Sequence, residues 1–260
     1  MGLRISTNMP SINAQRSLAG SQREINKSFA QLSSGSRITK AADDAAGLAV
    51  SEGLISQVRS FKMAQRNAED GMSLVQVAEG GLGEISNILT RLRELGVQAA
   101  SDTLGDRERG FLNLETQQLK SELERISQST RYGTTDLLNG TGGNFDFQID
   151  INNDDFKDRV SFDSSQMDSR LGTLAIDGVD YSTKAGAQES LTVIDNAQVT
   201  VNGYRANLGA MQNRLISTQN NLGSAIENLS AANSRIRDAD IAQSTAELTK
   251  NNILLNASTS

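Results

Sequence analysis

The sequence predicts a mainly α protein: an elongated antiparallel helical rod, packed like a coiled-coil bundle, with paired N- and C-terminal segments and a small β-hairpin region. Three observations carry this. Long stretches space their apolar residues at alternating steps of four and three, which keeps one narrow stripe on one face of a helix. A short central segment switches to period two, the pattern of a half-buried strand. The composition is also poor in core formers. Of 260 residues, 37% are hydrophobic and 4% aromatic, with one Pro (Pro10) and no Trp. Ser, Thr, Asn and Gln supply roughly a third of the chain. Such a chain cannot build a thick core, but it can form thin helices whose stripes are completed by partners.

The first forty residues are helix-compatible but thin. Leu18, Ile25 and Leu32 repeat at seven with Phe29 beside the seam, among Asn, Ser and Gln. Alone in water such a segment is marginal. Ser33-Ser34-Gly35-Ser36 and Asp43-Asp44 then predict a hinge or linker.

A long helix follows from about Ala45 to Ala100, roughly 80 Å at 1.5 Å per residue. Its stripe begins Leu54, Val58, Phe61 and passes through Ala68, Met72, Val75 and Leu82 to a second phase at Ile85, Leu89, Leu92 and Leu95. Gly80-Gly81-Leu82-Gly83 lacks the Lys-Ser/Thr of a phosphate loop and reads as a local flexible point in that helix. Leu112, Leu119, Leu123 and Ile126 mark a shorter helix.

In the middle, the turn cluster 139–143 precedes Phe145, Phe147, Ile149 and Ile151, which alternate with polar residues. Val160-Ser161-Phe162 and Leu174-Ala175-Ile176 offer partner strands, with Asp177-Gly178 as a turn, so the β-hairpin region spans about 141–185. The cleanest stripe comes last: Met211, Leu215, Thr218, Leu222, Ala225, Leu229, Ala232 and Ile236 hold the four–three alternation without a break. After Ile236 the phase slips, and Ile241, Leu248 and Leu255 continue a weaker stripe. Rod packing is therefore assigned to Leu54, Val58, Phe61, Leu215, Leu222, Leu229 and Ile236. The weak terminal stripes, Leu18, Ile25, Leu32 and Ile241, Leu248, Leu255, are expected to order last, on assembly.

Several function classes fall away on composition. The chain has no His and no Cys, so zinc sites, Ser–His or Cys–His nucleophiles and disulfides are excluded. Only carboxylates and Lys remain as acid–base groups, and no cleft constellation is visible, so no enzyme and no cofactor is expected. The acids near Asp43, Asp150, Asp154 and Asp155 have no EF-hand spacing. A net charge of −6 with few aromatics argues against nucleic acid. No run approaches the ~20 apolar residues of a membrane span, and the start of the chain shows no cleaved secretory signal.

Several blocks towards the two ends of the chain carry a resemblance. Leu32-Ser33-Ser34-Gly35-Ser36-Arg37-Ile38 with Ala42-Asp43-Asp44-Ala45-Ala46-Gly47-Leu48-Ala49-Val50 resembles the N-terminal signature of bacterial flagellins. Leu92-Arg93-Glu94-Leu95 with Val97-Gln98-Ala99 resembles that family's next block. At the other end, Ala231-Ala232-Asn233-Ser234-Arg235-Ile236-Arg237-Asp238-Ala239-Asp240 and Ile253-Leu254-Leu255 resemble its C-terminal signature. The likeness covers about 1–140 and 190–260, leaving room between for a hairpin and no outer domain.

The resemblance implies a subunit that self-assembles into the flagellar filament for motility. Residues 1–42 and 236–260 would form the terminal helical domain lining the inner tube, and 43–235 the rod domain. It implies export without a cleaved signal to the extracellular flagellum, with sheathed or periplasmic placement open. Its partners would be other copies of the chain, an export chaperone, and filament-cap and hook-junction proteins. Flagellins sensed by Toll-like receptor 5 present residues matching Arg91, Leu95 and Glu115, the first two being i and i+4 on one helix. Some flagellins carry sugars in the exposed middle, where Ser161, Ser164, Ser165 and Thr183 lie. Family members usually run on past the position matching Ser260. A hook–filament junction protein and a secreted coiled-coil binding module stand as the alternatives.

Overall fold

The computed structural model of the chain describes residues 8–259, so the opening residues read above for a secretory signal lie outside the described residues. Helix α1 (Met9–Ser34) begins where Asn8 accepts a hydrogen bond from the Ser11 N–H, with Pro10 in its first turn, and ends at Gly35. Gly35 has φ +67°, the left-handed turn that glycine adopts without strain. Helix α2 (Ala45–Ala99) runs for 55 residues, and α3 (Asp106–Ser129) for 24. Two small antiparallel ribbons follow: β1 (Arg131–Tyr132) with β2 (Thr135–Asp136), then β3 (Asn144–Gln148) with β4 (Arg159–Asp163). Helix α4 (Lys184–Arg237) and helix α5 (Ile241–Thr259) complete the order. The mainly α class read from the spacing therefore holds.

The chain divides into a terminal unit, up to Arg59 and again from Ala225 onward, and a central unit, Ser60–Ser224. Residues 43–59 and 225–235 fall in the first of these units.

In the central unit, the four–three stripe of α2 becomes the buried wall: Leu82, Ile85, Leu89, Leu92 and Leu95 are all buried. Facing residues include Leu123 of α3 and Ile194, Val201, Leu208 and Leu215 of α4. Val160 and Phe162 of β4 join the same core, with Phe145 opposite Phe162 and Phe147 opposite Val160 across the ribbon. Tyr181 is fully buried, and its hydroxyl donates to the Leu92 carbonyl at 2.7 Å. That satisfied bond makes a buried phenol tolerable, and burial pushes its ionisation well above the usual tyrosine value.

One local expectation is corrected. Leu174-Ala175-Ile176 is a turn, closed by the Ile176 N–H on the Leu171 carbonyl at 3.0 Å, with Ala175 at φ +57°. Its period-two pattern reflects two inward plugs, Leu174 and Ile176, on either side of that reversal. The Gly80–Gly83 run lies within continuous α2. Gly81 lets Thr130 and Leu138 approach, since a Cβ there would lie 2.7 Å from Thr130 Oγ1 and 2.8 Å from Leu138 Cδ1. The β1–β2 ribbon, turning at Gly133 with φ +61°, carries no apolar alternation and gave no signal in the sequence.

Candidate assembly site at the paired chain ends

The segment after α1, expected as a hinge or linker, is pinned to the segment after α4. Arg37 donates its backbone N–H to the Arg237 carbonyl at 2.6 Å, and its guanidinium Nε and Nη2 to the Ile236 carbonyl at 3.2 and 2.7 Å. The Ala239 N–H donates to the Gly35 carbonyl at 2.9 Å, and Ser36 and Asp238 form an isolated antiparallel bridge. An Arg that donates to the last carbonyls of a helix satisfies orphan acceptors and complements the helix dipole. One turn into α2, the buried Ser51 hydroxyl donates to Asn233 Oδ1 at 2.7 Å, and Arg237 pairs with Glu52 at 2.7 Å. Asp43 organises the entry to α2 by accepting from Thr39 Oγ1 and from the Thr39 and Lys40 N–H groups. These bonds, led by that from the Thr39 hydroxyl, hold the Asp43 carboxyl below its ordinary value.

Beyond this knot, α1 and α5 pack against each other. Leu18, Ile25 and Leu32 are half-buried, as are Leu248 and Leu255. Ile241 is not in that seam: it is 67% exposed. The less exposed positions of α5 are Ser244, Leu248, Asn251 and Leu255; Ile241 falls on the same spacing but is the first residue of the helix and stays exposed. The most buried residues of the pair are polar (Ser28, Gln31 and Ser244), and Gln31 Nε2 donates to the Arg37 carbonyl at 2.8 Å. Sequence reasoning missed these residues because it followed only apolar positions.

What remains exposed on α5 is a second stripe. Ile241, Ala242, Thr245, Ala246, Thr249 and Ile253 line a shallow, mostly apolar groove that α1 does not cover. Phe29 on α1 is likewise 67% exposed. A unit of two thin helices with a polar seam and bare apolar flanks has left much of its burial unmade.

The structure places the remaining residues as follows. Leu215 and Leu222 are buried, while Leu54, Val58, Phe61, Leu229 and Ile236 are half-buried. Arg91 donates from Nε and Nη2 to Glu115 Oε1 at 3.0 and 2.9 Å, and from Nη1 to Glu94 at 3.0 Å, all exposed on the α2–α3 face. Those hydrogen bonds, Glu115 first, raise the Arg91 ionisation further above its ordinary range. Leu95, although four residues after Arg91, is not exposed beside it: it is 1% exposed and packs in the core with Leu92. Ser161, Ser165 and Thr183 are exposed, whereas Ser164 is fully buried, with its hydroxyl on the Gly143 carbonyl at 3.0 Å, and is unavailable for modification. Among the described residues no cluster of three carboxylates could hold a metal, and no helix is long and apolar enough to cross a membrane.

The two sequence blocks that meet in this knot are also those that comparison with known proteins singles out. The family model described as "Bacterial flagellin N-terminal helical region" matches residues 5–142, and that described as "Bacterial flagellin C-terminal helical region" matches 191–260. The chain belongs to the bacterial flagellin family. This flagellin is 41% identical over 254 residues to a flagellin of Halalkalibacterium halodurans, covering 98% of the chain and 92% of that relative. It is 36% identical over 263 residues to the flagellar filament core protein flaB2 of Brachyspira hyodysenteriae, covering 97% and 92%. The crystal structure of Bacillus cereus flagellin superposes with a TM-score of 0.54 at 31% identity, covering 65% of this chain and 94% of that one. This flagellin is thus a structural subunit of a flagellar filament.

Proposed function

We propose that this flagellin polymerises through its terminal unit, with α1 and α5 packing on those of neighbouring copies to line the filament's interior. The observation that carries the reading is the bare apolar stripe of α5, from Ile241 to Ile253, beside a seam whose most buried residues are Ser28, Gln31 and Ser244. A helix pair with so polar a seam has little to hold it alone, and burying the outer stripe against other copies supplies what one chain lacks. The subunit acts as a building block without catalysis or cofactor. It reaches the outside unfolded, in keeping with a chain that has no Cys and thin ends. An export chaperone, a filament cap and hook-junction proteins are its partners by kinship, with the filament naked, sheathed or periplasmic. Receptor recognition, if this flagellin is sensed by a host, uses the exposed Arg91–Glu115 pair and not Leu95. Sugars, where added, go to Ser161, Ser165 or Thr183.

The test is negative-stain electron microscopy of the concentrated chain, salted out with and without short filament seeds. Thin filaments are expected from the wild type and none from Ile253→Glu, which buries a charge in the stripe. Filaments of equal yield from both would contradict the proposal.

A further inference from the structure

Helix α1 carries its cations in one line. Arg16, Arg23 and Lys27 follow one another at seven and four residues, which puts them on one helix face, and all three are exposed. Each stands two residues from Leu18 or Ile25, about 200° round the helix, so their face looks away from the seam with α5. Among the described residues none of the three forms an ion pair. Asp43, the carboxylate that feels Lys27, is already committed to Thr39 and Lys40. The one acid of α1, Glu24, lies about 100° round from Arg23. A chain of net charge −6 thus displays an uncompensated cationic strip on its first helix.

The same face begins with two bare apolar side chains. Met9 and Ile12 precede Arg16 by seven and four residues and are 58% and 41% exposed. Cations in a row attract anionic headgroups, and apolar side chains beside them add burial in the headgroup layer; peripheral attachment needs both signals. A flat anionic surface meets the whole strip at once, since Arg16 and Lys27 lie about 16 Å apart along a straight axis. Among the described residues no helix is long and apolar enough to cross a membrane, so the contact is with the lipid surface. The polar composition that leaves α1 marginal in water suits such a contact, because the surface supplies the order that the isolated helix lacks.

We propose that the unassembled subunit docks on anionic lipid through the outer face of α1, with Arg16, Arg23 and Lys27 on the phosphates and Met9 and Ile12 in the headgroup layer. The inference goes beyond the polymer reading and does not depend on it. The test mixes the full chain with vesicles of phosphatidylcholine, alone or with an equal part of phosphatidylglycerol, and separates them by flotation at low salt. The chain should float with the anionic vesicles, gain helical circular dichroism on them, and stay behind with the zwitterionic ones. Salt at about 0.5 M should release it, as screening requires. Arg16→Gln, Arg23→Gln and Lys27→Gln combined should weaken binding about a hundred-fold while leaving the melting of the central unit unchanged. Ile253→Glu leaves this face alone and should bind vesicles as the wild type does, so loss of filaments and loss of lipid binding are separable. Equal binding to both kinds of vesicle, or none to either, would overturn the proposal. A triple variant that floats normally but no longer polymerises would also overturn it, and would assign the cations to acids of a neighbouring copy.

Discussion

Ser51 near the start of α2 and Asn233 near the end of α4 meet at 2.7 Å although 182 positions apart in sequence, the Ser51 hydroxyl donating to the Asn233 side-chain carbonyl. Ser51 is fully buried, so the bond has no water to replace it. Ser51→Ala should destabilise the terminal unit by about 1 kcal/mol, the net worth of one hydrogen bond with its partner left half-buried. Limited proteolysis should show faster cleavage after Arg237, with melting of the central unit unmoved.

The glycines of α2 divide by what faces them. A Cβ at Gly80 meets nothing within 4 Å, so Gly80→Ala should stabilise the monomer by about 1 kcal/mol through helix propensity. At Gly81 the same change drives a methyl into Thr130 and Leu138, and overpacking of about 1–3 kcal/mol outweighs the propensity gain. Thermal melts of the two variants should move in opposite directions.

Leu95 and Glu115 separate folding from surface recognition. Leu95→Ala should cost about 2–5 kcal/mol as a cavity in a closed core. Glu115→Gln, which breaks an exposed pair with Arg91, should cost less than about 1 kcal/mol. If soluble monomer signals through a host receptor, only the loss caused by Glu115→Gln, measured at unchanged stability, reports contact. A signalling loss in Leu95→Ala that tracks its melting temperature reports unfolding.

Asp168 gives an acid limb to stability. Its carboxyl is held down to about 2 from an ordinary 3.8, first by the hydrogen bond from Arg170 and then by the Thr173 hydroxyl, both at 2.6 Å. The folded value lies below the unfolded one, so the contribution is complete above about pH 4 and is lost as pH falls from there to about 2. After solvent screening it is worth about 1–2 kcal/mol at neutral pH. Asp168→Asn should lower the urea midpoint at neutral pH, and the difference from wild type should shrink towards about pH 2. A difference that stays constant with pH would contradict this assignment.

What the sequence made legible was whatever rested on apolar spacing. The stripe from Ile85 to Leu95 and that from Leu208 to Leu222 bury as their period requires, because a helix converts spacing directly into a face. Phe145 and Phe162 paired as the period-two pattern suggests. Where burial is polar or depends on a turn, spacing was silent or misleading. Ser28, Gln31 and Ser244 form the most buried part of the terminal seam without any apolar signal, whereas Ile241, which repeats at seven with Leu248 and Leu255, is the first residue of α5 and stays exposed. Asp240 caps α5, accepting from the Gln243 N–H at 3.1 Å. Leu95 was put beside Arg91 by an i, i+4 count that ignored its membership of the buried stripe.

The central claim is that the terminal helices are completed by neighbouring copies. Amide hydrogen exchange compared between dilute monomer and assembled filament tests it most directly. The account predicts protection in the monomer confined to about residues 45–235, with α1 and α5 exchanging freely and becoming protected only in the filament. Full protection of residues 8–30 in dilute monomer, or unprotected α1 and α5 in the filament, would contradict it.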